Sequence, residues 1–284
     1  MNTNSNTYTV IYSIVLVVVV AAILAFTSQA LKDKQNENVK LETITKVISA
    51  ATQADPDYVI AEDADILEEY QSLISDALFV DANGEKAGQM NIGKEDKKAI
   101  EVASTSDLKK QNDIIKKIEA GNADAASELK LPVYVFNIKG QKVTVIPCYG
   151  AGLWGPVWGY LAFAEDGRTF DGAIFDHKSE TPGLGAKIAE EPFYGQFKGR
   201  KLTDEGGFSV VKGGARGDIN SVDAISGASI TSQAVGTTIN IWMKYYLPYL
   251  NILAEKNAAA QQLGAETEDE AALEAAEAEN KEEE

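Results

Sequence analysis

The sequence predicts an α+β protein, with a single N-terminal transmembrane helix followed by a mainly antiparallel β-sheet domain with packed helices. Three observations predict it. An uncharged apolar run of 19 residues lies near the N-terminus. Paired runs of strand-forming residues, separated by short polar turns, occupy the middle of the chain. Stretches with apolar residues at helical spacing flank those runs.

Residues 8–26 read YTVIYSIVLVVVVAAILAF, without a formal charge. As a helix they would span roughly 28 Å, close to the ~30 Å of a bilayer hydrocarbon core. Val and Ile are mediocre helix formers in water, but in lipid the backbone must satisfy its own hydrogen bonds, so helix is favoured. Tyr8, Tyr12 and Phe26 sit near the ends, where interfacial aromatics belong. A cleaved signal peptide is the rival, with Ser28-Gln29-Ala30 as a small-x-small site, but the apolar run is too long and a charged leader segment is missing. Lys32 and Lys34 follow the run and no base precedes it, a bias that by itself places the C-terminal side in the cytoplasm.

A short polar linker at 32–38 leads to two segments expected to be helical, 41–53 (Leu41, Ile44, Val47 and Ile48 on one face) and 64–79 (Ile66, Tyr70, Ile74 and Leu78). Residues 81–130 are charged and weakly patterned, with helix expected at 106–119. From Leu131 the pattern becomes β. Residues 133–138 and 143–147 make one hairpin around Lys139-Gly140-Gln141-Lys142, and 157–164 with 169–175 make a second. Residues 230–250 form an amphipathic helix with Ala234, Ile241, Trp242, Tyr245 and Tyr249 on its apolar face, Thr231 or Ser232 as cap, and Pro248 ending or kinking it. Four parts result. These are an anchor (1–30), a membrane-proximal mixed helical part of the soluble domain (31–130), a core (131–255), and an acidic low-complexity tail (256–284), exposed and partly helical or disordered.

Composition narrows the chemistry. One Cys excludes an internal disulfide framework, and with one His it excludes a zinc or iron–sulfur cluster held by this chain alone. The net charge of −17 argues against nucleic acid as a partner. Ten acids against Lys281 in residues 264–284 supply −9 of it.

Seventeen of the 23 glycines fall between Gly150 and Gly236, where the backbone must turn sharply or approach something closely. They cluster in three stretches: 150–159 (GAGLWGPVWG), 177–185 (HKSETPGLG) and 223–229 (DAISGAS). Each has an ordinary explanation. Trp154 and Trp158 suit core packing, 180–183 suits a plain turn, and a Ser before a helix suits a cap. The third stretch also suits an anion. Gly227 and Ala228 leave the free N–H groups of a helix start open, and Ser226, Ser229, Thr231 and Ser232 crowd the same spot. It lacks the lysine and spacing of a P-loop, the Rossmann glycine fingerprint and the G-x-S-x-G elbow of hydrolases. Cys148 follows apolar residues and reads as a buried thiol, and His177 reads as a structural hydrogen-bonding residue.

In this order after one anchor, the three stretches resemble the NqrC family, the FMN-binding subunits of the sodium-translocating NADH:quinone oxidoreductase. Its soluble domain is related to that of RnfG in the Rnf electron-transport complex. The resemblance covers roughly residues 8–250. Its most specific element is the flavinylation motif D-x-x-[ST]-G-A-[TS], matched by Asp223, Ser226, Gly227, Ala228 and Ser229. The resemblance implies that a flavin transferase moves FMN from FAD onto Ser229 through a phosphoester bond, one covalent FMN per chain. The family usually has Thr there; Ser offers the same hydroxyl, and Thr231 is the fallback acceptor.

The same resemblance puts Leu153 and Trp154 against the flavin, with Glu180, Thr181, Leu184 and Gly185 lining it and Lys212 supplying positive charge near the phosphate or the ring. It implies an electron-relaying part of the enzyme rather than a complete enzyme. Electrons would arrive from an iron–sulfur centre of the membrane proteins NqrD and NqrE and leave to the flavin of NqrB, toward ubiquinone, with Na+ export. NqrA and NqrF complete the complex. The resemblance also implies a bacterial inner-membrane protein with a cytoplasmic N-terminus and a periplasmic domain, against the charge bias. Alternatives are RnfG of an Rnf complex, a membrane-tethered binding module without cofactor, and a hydrolase using Ser229 and His177.

Overall fold

The computed structural model describes residues 6–61, 63–215 and 217–282, the side chains of 261 and 263–282 excepted. The chain forms two units, Met1–Glu42 and Thr43–Glu284. Helix α1 (Asn6–Thr52) makes up the described part of the first, and its end, from Thr43, belongs to the second. The large apolar side chains between Val10 and Phe26 are 46–78% exposed, in a helix long and apolar enough to cross a membrane.

The second unit is built on one antiparallel sheet. Its strands are β1 (Ile74–Val80), β2 (Lys86–Gln89), β3 (Leu131–Ile138), β4 (Gln141–Ala151), β5 (Pro156–Phe163) and β6 (Phe170–His177), in the order β2-β1-β3-β4-β5-β6. Every neighbouring pair is antiparallel. The first hairpin closes on Lys139 (φ +50°) and Gly140 (φ +94°), the two-residue turn whose twist matches that of the strands. In the second, Asp166 Oδ1 accepts the N–H groups of Arg168 (2.9 Å) and Thr169 (2.7 Å). Because β1 pairs with β3, residues on both sides of position 130 share this sheet.

The helix expected over 64–79 is half strand. Asp65 caps α2 (Ile66–Leu73) by accepting the Leu67 and Glu68 N–H groups, and at Ile74 the chain becomes β1. Ile74 and Leu78 satisfy helical spacing by coincidence. In the sheet Ile74 and Ala77 join one core while Leu78 and Val80 join the other. Hydrogen bonding to β2 and β3 on both sides outweighs local propensity. Helix α3 (Thr105–Glu119) follows the expectation and starts with a capping box between Ser104 and Asp107.

Apolar side chains cover both sheet faces. Ile44, Val47 and Ile48 at the end of α1, with Tyr70 and Leu73 of α2, pack on the face presenting Tyr134, Phe136, Val145 and Tyr160. The opposite face, with Val133, Ile146, Leu161 and Phe175, is covered by Leu108 and Ile115 of α3, by an aromatic cluster around Phe197, and by α5 (Ser229–Glu282). The short helix α4 (Glu191–Tyr194) adds Phe193 to that cluster. Between Phe197 and α5 lie β7 (Ser209–Val211) and β8 (Ser221–Asp223), paired in parallel.

Helix α5 corrects two expectations. Pro248 does not end it. The ring removes one N–H donor, but Tyr246 and Leu250 on either side are fully buried, and Tyr246 Oη donates to the Pro132 carbonyl (2.8 Å). The buried face is also turned from the expected one, and consists of Val235, Ile239, Trp242, Met243, Tyr246 and Leu250. Ile241, Tyr245 and Tyr249 pack at its margin, where the Tyr245 hydroxyl bonds Glu119 (2.9 Å). At the start of the acidic tail Lys256, Ala258, Ala259, Ala260 and Gln262 are exposed as expected, and the side chains of 263–282 lie outside the described residues.

Candidate functional site

The site forms where β8 gives way to α5. The Ala228 N–H donates to the Ile225 carbonyl (3.0 Å) across a tight turn with Gly227 at φ +80°, the conformation its third position requires. The Ser232 N–H donates to the Ala228 carbonyl (3.0 Å), so Ala228 occupies the cap position and brings no hydroxyl to it. The expected caps are thereby overturned. Ser232 Oγ donates to the Ala228 carbonyl (2.9 Å) and accepts the Ile225 N–H (3.1 Å), while Thr231 Oγ1 donates to Glu180 Oε2 (2.7 Å). Among the described residues no acceptor meets the N–H groups of Ser229, Ile230 and Thr231. Ser229, half-buried, stands at the first helical position.

An open cleft of about 740 Å³ faces this helix start. Of the residues expected at the site, Leu153, Lys212, Asp223, Ser226, Gly227, Ala228 and Ser229 line it together; Gly213, Ala224 and Ile230 join them and were not anticipated. Ile230 follows Ser229 and is 63% exposed, but an apolar residue in the first turn of a helix looks like any other core position. Asp223 shapes one wall. Its Oδ1 accepts the Ala215 N–H (3.1 Å), and its backbone N–H donates to Gln196 Oε1 (3.0 Å). The first bond ties Asp223 to the loop after β7, in which Gly213 (φ +63°) and Gly214 (φ +100°) turn the chain and present Lys212.

The other two stretches meet on Glu180, which is 4% exposed. Its Oε1 accepts the Trp154 N–H (2.9 Å) and its Oε2 the Thr231 hydroxyl, while its own N–H donates to His177 Nδ1 (3.3 Å). Glu180 and Gly185 thus lie behind the cleft rather than on its wall. Thr181 is exposed, and its carbonyl accepts the Leu184 and Ala186 N–H groups (3.1 and 3.2 Å). Trp154 (67%) and Leu184 (45%) are exposed, so the core-packing reading of Trp154 fails. That reading suits Trp158, half-buried and stacked on Tyr149 at 6.4 Å. Thr231, 1% exposed and already donating, makes a poor second acceptor. His177 has the structural bond expected of it, and burial pushes the Cys148 thiol up to about 12.

A family model described as an FMN-binding domain matches residues 152–244, which include the whole cleft wall. NqrC of Vibrio parahaemolyticus, from its Na+-translocating NADH-quinone reductase, is 30% identical over 235 residues, covering 80% of this chain and 87% of that protein. This chain belongs to the NqrC family. The NqrC of Vibrio anguillarum is 28% identical over 256 residues, covering 85% of this chain and 92% of the relative. The crystal structure of NqrC from Parabacteroides distasonis covers 78% of this chain and 96% of its own, at 30% identity and a TM-score of 0.58. Membership in the NqrC family fits the α+β architecture, with one long apolar N-terminal helix and then an antiparallel sheet with packed helices.

Proposed function

We propose that this chain is the electron-relaying subunit of a sodium-translocating NADH:quinone reductase complex and carries one FMN, covalently joined to Ser229. The observation that carries the reading is the position of Ser229, at a helix start with three unpaired N–H groups, on the wall of a cleft it shares with Lys212. The residues present suit the cofactor. A helix N-terminus favours a phosphate, and Lys212 adds a positive charge. Leu153, Trp154, Leu184 and Ile230 expose the apolar surface that an aromatic ring system requires. The cleft volume falls within the ~300–1,000 Å³ typical of small-molecule sites.

Attachment needs no redox step. Ser229 Oγ forms a bond to the FMN phosphorus of FAD, the phosphoanhydride bond breaks, AMP leaves, and the hydroxyl proton is lost to solvent; a flavin transferase catalyses this. Once bound, FMN supplies one- and two-electron chemistry. The chain's own residues hold it. Lys212 and the helix-start N–H groups offset negative charge, and the glycine-rich loops bring backbone close. Family resemblance supports the route from the iron–sulfur centre of NqrD and NqrE, through this chain, to the flavin of NqrB and on to ubiquinone. It likewise supports an inner-membrane anchor with the domain in the periplasm, where a dissociable flavin would be lost by dilution.

The test is intact mass after co-expression with a flavin transferase, followed by peptide mapping. The expected result is a gain of one FMN minus water on the peptide containing Ser229, and no covalent flavin on a folded Ser229→Ala variant. An unmodified, colourless wild-type protein sinks the reading, and covalent flavin retained by Ser229→Ala moves the acceptor elsewhere.

A further inference from the structure

Two glycine-rich loops and the first turn of α5 are linked through one buried carboxylate, and the chain makes room for it. A Cβ on Gly152 would stand 2.6 Å from Glu180 Oε1, and one on Gly185 would stand 2.4 Å from Oε2, so side chains at either position would displace the group. A carboxylate buried in this way requires donors. Glu180 has two that are 26 and 51 residues away in sequence, the Trp154 amide and the Thr231 hydroxyl. Among the described residues it forms no ion pair, so its charge is met by hydrogen bonds alone.

We propose that Glu180 is the positioning residue of the cofactor site. It joins the Trp154 amide to the Thr231 hydroxyl, fixes loop 152–155 against the start of α5, and leaves Ser229 as the first-turn hydroxyl open to modification. The selection of Ser229 rests on the reading that this chain carries covalent FMN; the joining role does not. Thr231 Oγ1 spends its one proton on Glu180 and is buried, whereas Ser229 faces the cleft. Because Trp154 hangs from the same carboxylate, the exposed indole beside the cleft is held by its backbone and not by packing of its ring.

Glutamine provides the discriminating substitution. Its Oε1 still accepts the Trp154 N–H, and its Nε2 donates to Thr231 Oγ1, so the link survives without the charge. Amide hydrogen exchange of full-length, unmodified protein therefore separates the variants. Trp154 N–H exchange is expected to rise at least tenfold in Glu180→Ala and to stay within about twofold of wild type in Glu180→Gln. After co-expression with the flavin transferase, peptide fragmentation is expected to show at least a fivefold loss of flavin on Ser229 in Glu180→Ala, or partial transfer to Thr231, with Glu180→Gln near wild type.

Unchanged exchange and labelling in Glu180→Ala overturn the proposal, as does a glutamine variant as defective as alanine. If Glu180→Ala does not fold, the near-isosteric Thr231→Val removes one arm of the link. It should speed Trp154 exchange several-fold, and no change there overturns the joining role. A wild-type protein that takes up no flavin overturns the selection of Ser229, and the exchange result still decides the joining role by itself.

Discussion

The six-stranded sheet and the loops gathered at the start of α5 follow opposite rules. In the sheet, Phe136, Leu161 and Phe163 are fully buried and the polar backbone is consumed by strand pairing. At the site, Trp154, Leu184 and Ile230 face solvent while the carboxylate of Glu180 is buried behind them. Folding free energy favours the first arrangement and gains little from the second. The lesson is that the site's apolar surface is left for something other than the chain itself to cover, while the sheet's surface is spent on stability.

Two of the three tryptophans put this contrast to its largest test. Trp242 is fully buried on α5, and its Nε1–H donates to the Tyr149 carbonyl (2.7 Å). Trp242→Ala should destabilise the domain by about 3–5 kcal/mol in chemical denaturation. Trp154→Ala, at the exposed site, should cost less than about 0.5 kcal/mol while weakening the hold on flavin. Equal losses at the two positions would erase the distinction.

Carboxylates sharpen it at smaller scale. Burial pushes Asp171 of β6 up to about 6, offset in part by Lys198, raised further by Asp166, and offset again by the Gln141 amide, which donates to it (2.9 Å). The folded value lies above the unfolded one. The stabilisation is therefore complete below about pH 4 and disappears as pH rises through about 6. Asp171→Asn should flatten that part of the stability–pH profile, and an unchanged slope would assign it to other groups. The smallest effect is expected at Ser229. It is not the cap of α5, so Ser229→Ala should change stability by no more than about 0.5 kcal/mol while removing the flavin proposed to be joined there. A loss of several kcal/mol would make Ser229 part of the scaffold.

Much of the sheet was legible because its hairpins carry their own turn chemistry. Lys139-Gly140 and the Asp166 turn fix the pairing of β3 with β4 and of β5 with β6 from within a few residues. β1 and β2 were not legible. Ile74 and Leu78 fit a helix as well as a strand, and only the distant β3 decides between them. β7 and β8, three residues each and joined in parallel, leave almost no pattern. At the site, the glycines and hydroxyls were visible because close backbone approach requires those residue types. The use made of Glu180 and Thr231 was not, since an acid and a hydroxyl 51 residues apart do not indicate in sequence that they will meet.

Helix α5 also sets a phase. Trp242 fastened to Tyr149 and Tyr246 fastened to Pro132 lock the rotation of the helix against the sheet, and that rotation decides which way its first turn looks. One residue inserted between Gly236 and Trp242 would swing Ser229 by about 100° and shift it by about 1.5 Å, away from Lys212. Seven inserted residues would restore the angle to within about 20° but carry Ser229 roughly two turns along the axis. On the proposed reading, the address of the cofactor is counted in residues along a single rod, and its tolerance is less than one.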